Sequence, residues 1–441
     1  MPGSRRAIAA ASLALAVACT PGGKGGEVRL RLWALGREGE LVQELTRDFE
    51  RTHPGVRVEV QQIPWNAAHE KLLTGFVGET SPDVAQLGNT WVPEFHALHA
   101  LLPLDSLVTQ SATLRQEDFF PGIWETNVLD GVTYGIPWYV DTRVLFYRRD
   151  LLARAGVDSM PTTWAGWRMA MEKVRDSSGG NYAILLPLNE WNTPVILGMQ
   201  AGSPLLKEDG TRGAFSDSAF RAAFDFYVDM FRDGLAPRLG MQQMSNLYQE
   251  MARGMFAMYI SGPWNLGEFA TRLPPELQDD WATAPLPGPT GAASGVSMAG
   301  GSSLVVFKSS PHQREAWSLV EYLSRPDVQA RFYHLSGDLP PTYAAWRDSS
   351  LANNPRALAF KTQLERVRPL PKVPEWEQVA QKTLEYAERA IRGQMSDSAT
   401  LRALDAEVDR ILEKRRWMLE REVAARVSAR VPARGATPGG R

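Results

Sequence analysis

Three polar residues at alternate positions interrupt an apolar stretch from Tyr134 to Arg148: Tyr139, Asp141 and Arg143. The β-favouring bulk of the stretch predicts one buried strand. On a strand, alternate residues share a face, so this face would carry an aromatic ring, a carboxylate and a guanidinium. Such a face either lines a ligand cleft or forms a salt-bridged surface, and the spacing alone does not decide between them. Arg143 could contact a ligand or hold Asp141 in place.

Short strands and helices alternate through the first ninety residues. Val28–Trp33, Val56–Val60 and Pro82–Leu87 have strand patterns, while Glu40–Thr52 and Ala67–Gly78 have the spacing of helices. This order predicts an α/β lobe with a largely parallel sheet, which binds ligands at the carboxyl ends of its strands. Acids, an amide and indoles follow those ends: Glu38, Glu40, Trp65, Asn66, Asn89 and Trp91.

The second part of the chain is richer in helices. The strand candidate Met255–Ile260 runs into Ser261-Gly262-Pro263-Trp264, which places Trp264 in a turn at a strand end, where loops carry binding residues. Ser303–Phe307 is a further strand candidate. The predicted helices are Trp164–Asp176, Ala219–Asp233, Pro311–Ser324, Trp376–Ile391 and Ala399–Arg415.

The N-terminus has the pattern of an export signal. Arg5 and Arg6 precede a short apolar run and small residues, so residues 1–18 are predicted to be a cleaved signal peptide. Cys19, the only cysteine, is the predicted lipidation site, and residues 19–27 a flexible tether. Ala16 stands where such sites prefer leucine, so cleavage by ordinary signal peptidase is the alternative.

Composition bounds the class of protein. The 441 residues, 44% hydrophobic and 22% charged, suffice for two lobes with separate cores. A net charge of -2 argues against a general nucleic-acid binder. The 14 tryptophans exceed the 11 tyrosines, which fits thick cores or flat platforms for sugar rings. Residues 416–441 form a basic tail that is predicted to be partly disordered after a helical start.

Six motifs, in this order, resemble the extracellular solute-binding proteins of bacterial ABC sugar importers, the maltose, trehalose and multiple-sugar group. The resemblance covers about residues 28–415, and no single motif carries it. The motifs are Pro82-Asp83-Val84, Tyr134-Gly135-Ile136-Pro137 to Phe146-Tyr147, Pro161-Thr162-Thr163-Trp164, Met258–Trp264, Gly300-Gly301-Ser302-Ser303-Leu304 and Gly337-Asp338-Leu339-Pro340.

The resemblance implies a two-lobed periplasmic-binding-protein (type II) fold of the α/β class, with crossover hinge strands and closure on a sugar. Lobe I would comprise residues 28–139 and 284–340, and lobe II residues 140–283 and 341–415. The implied protein is a monomer without a cofactor that hands a di- or oligosaccharide to membrane permease subunits. The ATPase subunits would be separate chains, since no Walker motif occurs here.

The resemblance also implies site residues. By position, Tyr139, Asp141 and Trp264 would contact the sugar, and Trp376 would stack on a ring. Gly300 and Gly301 would bring backbone N–H groups near the ligand or shape a turn. For Trp65, Trp91 and Trp191, core packing is the main alternative, and the choice between Glu38 and Glu40 stays open.

Two other readings of the residues are open. Glu38, Glu40 and Asp141 could supply the carboxylate pair of a glycoside hydrolase, although the resembled family carries no reaction. The same fold could also carry a non-sugar solute. His96 and His99 would lie near one helix face, as in a metal carrier, but the HExxH order is absent and two surface histidines are the favoured explanation.

Overall fold

The computed structural model describes residues 27–430. The predicted signal peptide, the predicted lipidation site Cys19 and the tether up to residue 26 lie outside the described residues, as do residues 431–441.

The first segment of the chain builds lobe I, a layer of strands with helices on both faces. Alternating apolar residues of the first strand are buried, and the first helix buries Val42, Leu45 and Phe49 against the sheet. The elements are β1 (Val28–Leu35), α1 (Glu38–Thr52), β2 (Val56–Ile63), α2 (Trp65–Val77), β3 (Val84–Gly88), α3 (Val92–Ala97), α4 (Asp105–Gln110), α5 (Pro121–Glu125), β4 (Val128–Leu129), β5 (Val132–Thr133) and β6 (Ile136–Asp141).

The second segment builds lobe II around another sheet. Its longest helix buries Phe220, Phe224 and Tyr227 on one face. The elements are β7 (Val144–Arg148), α6 (Arg149–Arg154), α7 (Trp164–Ser177), β8 (Tyr182–Leu185), α8 (Asn192–Gln200), β9 (Leu206–Lys207), β10 (Arg212–Gly213), α9 (Ser218–Arg232), α10 (Leu247–Ala252), β11 (Phe256–Ser261), α11 (Trp264–Arg272) and β12 (Trp281–Ala284).

The chain then returns to lobe I and ends on lobe II. The elements are β13 (Ser297–Met298), β14 (Gly300–Val306), α12 (Gln313–Leu323), α13 (Pro326–Ser336), α14 (Ser349–Ala352), α15 (Pro355–Leu364), β15 (Val367–Arg368), α16 (Trp376–Ile391), α17 (Asp397–Ile411) and α18 (Glu413–Arg430).

Each lobe has its own sheet. In lobe I the order is β2-β1-β3-β14-β6, in which β1 pairs in parallel with β2 and β3, while β14 is antiparallel to β3 and β6. In lobe II the order is β12-β7-β11-β8, with β11 and β8 parallel. The sheet of lobe I is therefore mixed, because the returning strand β14 enters it in the opposite direction.

The prediction of one strand over 134–148 is wrong. Strand β6 ends at Asp141 in the sheet of lobe I, and β7 begins at Val144 in the sheet of lobe II. The return to lobe I also comes later than residue 284, because Ser297 and Met298 pair with β15, and lobe I resumes at Gly300. An apolar pattern does not show that the chain changes sheets halfway along it.

The crossovers are braced by a separate apolar cluster. Phe120, directly before α5, belongs to this cluster with Val140 and Val144, on the two sides of the first crossover, and with Trp346 and Phe360 from the last segment. Three further apolar clusters lie inside the lobes, two in lobe I and one in lobe II. The connection between the lobes is thus a packed apolar joint rather than loose linkers.

The C-terminal segment begins as a helix, as predicted. Helix α18 runs from Glu413 to Arg430, and the remainder of the predicted basic tail lies outside the described residues. Residues 413–430 are rich in arginine, alanine and glutamate, which favour helix. Within residues 27–430, none of the helices has the length and apolar character needed to cross a bilayer.

Candidate functional site

A cavity of about 470 Å³ opens between the lobes. Both lobes contribute to its wall, and carboxylates, amides and indoles alternate around it. Its lining comprises Glu38, Trp65, Gly88, Asn89, Thr90, Trp91, Tyr139, Val140, Asp141, Arg143, Trp191, Asn192, Pro263, Trp264, Met298, Gly300, Gly301, Ser302 and Asp338.

Strand ends place most of these side chains. In lobe I, Glu38 and Trp65 are the first residues of α1 and α2, directly after β1 and β2. In lobe II, Trp264 is the first residue of α11, after β11, so it begins a helix rather than standing in the predicted turn. Carboxyl ends of parallel strands and the helix starts beyond them share one sheet edge, which is why distant residues meet here.

Glu38 is held in a defined position at the start of α1. Its Oε1 accepts a hydrogen bond from the Tyr139 hydroxyl at 3.1 Å, and its Oε2 lies 3.4 Å from the Trp65 indole nitrogen. Gly36 has φ +51°, and a Cβ there would lie 2.5 Å from the Trp65 ring. Glycine at position 36 thus leaves room for the Trp65 indole to approach the Glu38 carboxylate. The positive end of the α1 dipole also stabilises the negative charge of Glu38.

Tyr139 serves chiefly to orient its neighbours. Its hydroxyl accepts hydrogen bonds from Gln86 and Ser302, both at 3.0 Å, and donates to Glu38. Burial, together with the nearby Glu38 carboxylate, raises the pKa of Tyr139 well above its ordinary value, so the hydroxyl keeps its proton. The ring is only 7% exposed and packs beside Phe332, which leaves little of its face for a sugar.

Asp141 and Arg143 form an ion pair in the cavity wall. Their side chains are 26% and 10% exposed, and the guanidinium lies over the Trp264 ring, 4.6 Å from its centroid. Burial raises the pKa of Asp141, and the Arg143 guanidinium offsets part of that rise. The pair therefore joins the end of β6 to Trp264 in lobe II, and Arg143 acts at least as a brace.

Gly300 and Gly301 permit the close approach of β14 to β6. A Cβ on Gly300 would lie 2.6 Å from the Asp141 carbonyl oxygen, and one on Gly301 would collide with the Tyr139 carbonyl oxygen. Gly301 also has φ +125°, which favours glycine. Neither lies in a turn, since both belong to β14.

Two buried nitrogen atoms in the wall have no hydrogen-bond partner within the described part of the chain: Nδ2 of Asn89 and Nε of Arg143. Asn89 is held by its other groups, because its Oδ1 accepts from Ser303 at 2.9 Å and its backbone N–H donates to Gly301. Unpaired buried donors are costly and rare in proteins. Both atoms are buried in this conformation, so neither is exposed to the cavity.

Most predicted site residues line the cavity, but two do not. Glu40 is exposed and accepts a hydrogen bond from Gln62 at 3.1 Å, so of the two candidate glutamates only Glu38 faces the cavity. The prediction that Trp376 stacks on a ring is wrong, because its side chain is 0% exposed in the core of lobe II. A tryptophan at a helix start can point into the cavity or into the core, and the packing of lobe II places Trp376 in the core.

Sequence reasoning missed several lining residues, of which Asp338 is the charged one. It belongs to the Gly337-Asp338-Leu339-Pro340 motif, so the sequence did contain a pattern that pointed to this position. Burial and the neighbouring Glu38 carboxylate raise the pKa of Asp338 to about 7. Ser302 likewise belongs to the Gly300–Leu304 motif, whereas no motif pointed to Asn192, Thr90 or Met298.

The described residues contain no group of three or more histidine, cysteine or acidic side chains that could hold a metal ion. His96 approaches Asp130 at 3.9 Å and packs on Tyr134. The predicted alternative of a metal carrier therefore has no support in this part of the chain.

The two glutamates of α1 offer a matched test of the cavity. We expect Glu38→Gln to weaken binding of the cavity's ligand about tenfold, since a charged acceptor is replaced by a neutral amide. Glu40→Gln, on the other side of the same helical turn, should bind normally. Isothermal calorimetry on both variants measures the difference, and equal affinities would remove Glu38 from the site.

Comparisons with known proteins agree on one family. The model of the bacterial extracellular solute-binding proteins matches residues 33–330. The structure of the sugar-binding protein MalE from Xanthomonas citri is similar with 49% identity and a TM-score of 0.87, covering 89% of this chain and 99% of that one. The diacetylchitobiose binding protein DasA of Streptomyces coelicolor is 27% identical over 76% of this chain and 77% of its own length. The galactooligosaccharide-binding protein of Bacillus subtilis is 25% identical over 84% and 87%.

Proposed function

Because the chain belongs to the family of bacterial extracellular solute-binding proteins, we propose that it captures a sugar, a di- or oligosaccharide, by closing its two lobes. The family and the two-lobed α/β fold predicted from the sequence are confirmed by the family match and by the likeness to the sugar-binding protein MalE. The substrate-binding role follows from the family, and the identity of the substrate is the proposal.

The composition of the cavity wall carries this proposal. A sugar offers hydroxyls that donate and accept hydrogen bonds, together with an apolar ring face. Glu38 and Asp141 supply acceptors, and Trp264 supplies a half-exposed ring. The volume of about 470 Å³ is within the usual range of small-molecule pockets.

Closure explains how the sugar would be held. Lobe I contributes Glu38 and Asn89, while lobe II contributes Trp191, Asn192 and Trp264. Each lobe alone offers only part of the hydrogen bonds and ring contacts that a sugar can make. The sugar therefore makes more contacts in the closed form and shifts the equilibrium toward it. The loaded protein would then dock on permease subunits in the membrane, as a monomer.

The decisive experiment is a calorimetric and thermal-shift screen against mono-, di- and oligosaccharides, with amino acids and metal ions as controls. A saccharide that binds the folded form raises the melting temperature, and at equal concentration a tighter ligand raises it more. No response to any saccharide, combined with a response to an amino acid or metal ion, would refute the proposal. Chromatography of the same mixtures tests the glycoside hydrolase alternative, which requires cleaved products.

Trp264 gives a sharper test of the lobe II wall. It is 47% exposed, so Trp264→Ala should change the melting temperature little. Loss of the ring face should weaken saccharide binding roughly tenfold or more, as for a tryptophan in the centre of an interface. The matched control is Trp417→Ala, 53% exposed on α18. Comparable affinity of both variants would exclude Trp264 from the site.

Anchoring is part of the proposal. A lipid on Cys19 would hold the protein at a membrane while residues 28–415 capture solute outside the cytoplasm. Mass spectrometry of the mature N-terminus, with Cys19→Ala as the control, tests this. A free N-terminus generated by ordinary signal peptidase cleavage would contradict it.

A further inference from the structure

The charges in the cavity wall do not balance. Three carboxylates and one guanidinium line it: Glu38, Asp141, Asp338 and Arg143. The guanidinium pairs with Asp141. Within the described residues, Glu38 and Asp338 form no ion pair, so the lobe I wall presents two carboxyl groups without a bound cation.

Backbone contacts hold Asp338 in this position. Gly337 ends α13 with φ +84°, which turns the chain toward the cavity. Directly after Asp338, the backbone carbonyl of Leu339 accepts a hydrogen bond at 2.9 Å from the backbone N–H of Val140 in β6. The N–H of Asp338 itself donates to the Ser336 hydroxyl at 2.9 Å. Asp338 is therefore part of the built wall rather than a mobile surface acid.

Burial and two neighbouring carboxylates disfavour a negative charge on Asp338. Burial raises its pKa most, followed by the Glu38 carboxylate, and Asp141 adds to the rise. The Ser336 hydroxyl and the Arg37 guanidinium lower the pKa, with the net result of about 7. The Tyr139 hydroxyl, close to both acids, keeps its proton. A cation placed between Glu38 and Asp338 would relieve this repulsion.

We propose that Asp338, together with Glu38, makes the cavity selective for saccharides that carry a protonated amine, and that the same pair rejects acidic saccharides. This inference rests on the proposed function, because it assigns the chemical class of the sugar. An ammonium group would form charge-assisted hydrogen bonds to both carboxylates. A uronate or phosphate group would face like charge, with the only lining guanidinium already paired.

Proton linkage gives this proposal its own signature. A bound ammonium group stabilises ionised Asp338, so its pKa falls from about 7 on binding and a proton is released near neutral pH. Affinity for an amino sugar should therefore rise from pH 5 to pH 7, a range in which the sugar amine stays largely protonated. A neutral saccharide lacks this gain.

The test compares matched saccharides by calorimetry on the mature protein. The probes are glucose, galactose and mannose, the 2-amino and uronic acid forms of each, and chitobiose beside its neutral diacetyl form. We expect the amino forms to bind about tenfold tighter than their neutral counterparts, and the uronic forms weakest. Repeating the titrations in buffers of different ionisation enthalpy counts the protons released.

Variants separate selectivity from folding. Asp338→Asn should abolish both the amino preference, measured as the ratio of amino to neutral affinities, and the proton release. Glu40→Gln, an acid outside the wall, should keep both. Neutral saccharides binding as tightly as their amino forms would overturn the selectivity but leave sugar capture standing. Failure of every saccharide, including those of the wider screen, would overturn the proposed function as well.

Discussion

Replacing Gly301 with alanine is expected to destabilise the protein by about 3 kcal/mol or more, the largest effect of any single methyl group in the cavity wall. Gly301 has φ +125°, a conformation that strains other residues, and a Cβ would meet the Tyr139 carbonyl oxygen. The neighbouring strand cannot retreat freely, because β6 also pairs with Leu339. Chemical denaturation of the ligand-free protein measures the loss.

Substitution of a second glycine, Gly291, distinguishes the cost of backbone strain from the cost of a steric clash. Gly291 also has a positive φ, +144°, but a Cβ there would meet nothing within 4 Å. Gly291→Ala should therefore cost only the conformational strain and be clearly milder than Gly301→Ala. Equal losses would show that the approach of β14 to β6 is not what requires glycine at position 301.

Asp141→Ala is expected to weaken saccharide binding at least tenfold and to lower the melting temperature. The change removes an acceptor from the cavity and leaves the Arg143 side chain, 10% exposed, without its carboxylate. Breaking a buried pair from one side costs about 3–5 kcal/mol, and the partial exposure of this pair reduces that figure. Calorimetry and thermal unfolding report the two effects separately.

The control for Asp141 is a similar pair outside the cavity. Arg148 and Asp150 also stand two residues apart, with side chains 5% and 28% exposed. Asp150→Ala should therefore lower the melting temperature without changing the affinity of the folded protein. If Asp150→Ala weakened binding as strongly as Asp141→Ala, the loss would reflect general destabilisation rather than a contact in the site.

Sequence reasoning placed most of the cavity wall because helix starts and strand ends are locally encoded. Apolar periodicity located β1, β2 and β3, and the polar residues just beyond them line the cavity. It also singled out Tyr139, Asp141 and Arg143, although they do not share one strand. Asp141 ends β6, and Arg143 lies between the sheets.

Long-range contacts account for what was missed. Asp338 reaches the cavity through the pairing of Leu339 with Val140, nearly two hundred residues away in sequence. Glu38 and Glu40 differ only in which side of the first helical turn they occupy, and Gln62 from β2 engages the second. Neither fact is visible in the local pattern of residue types.

By itself, the sequence determined the family, the alternation of strands and helices, and a cleft rich in carboxylates and indoles, because these depend on motif order and local periodicity. Tertiary structure alone decided that Trp376 is core, at which residues between 134 and 148 the chain leaves one sheet for the other, and that Asp338 joins Glu38 in one wall. Those outcomes depend on which distant segments pack together, and packing also set the charge balance of the cavity.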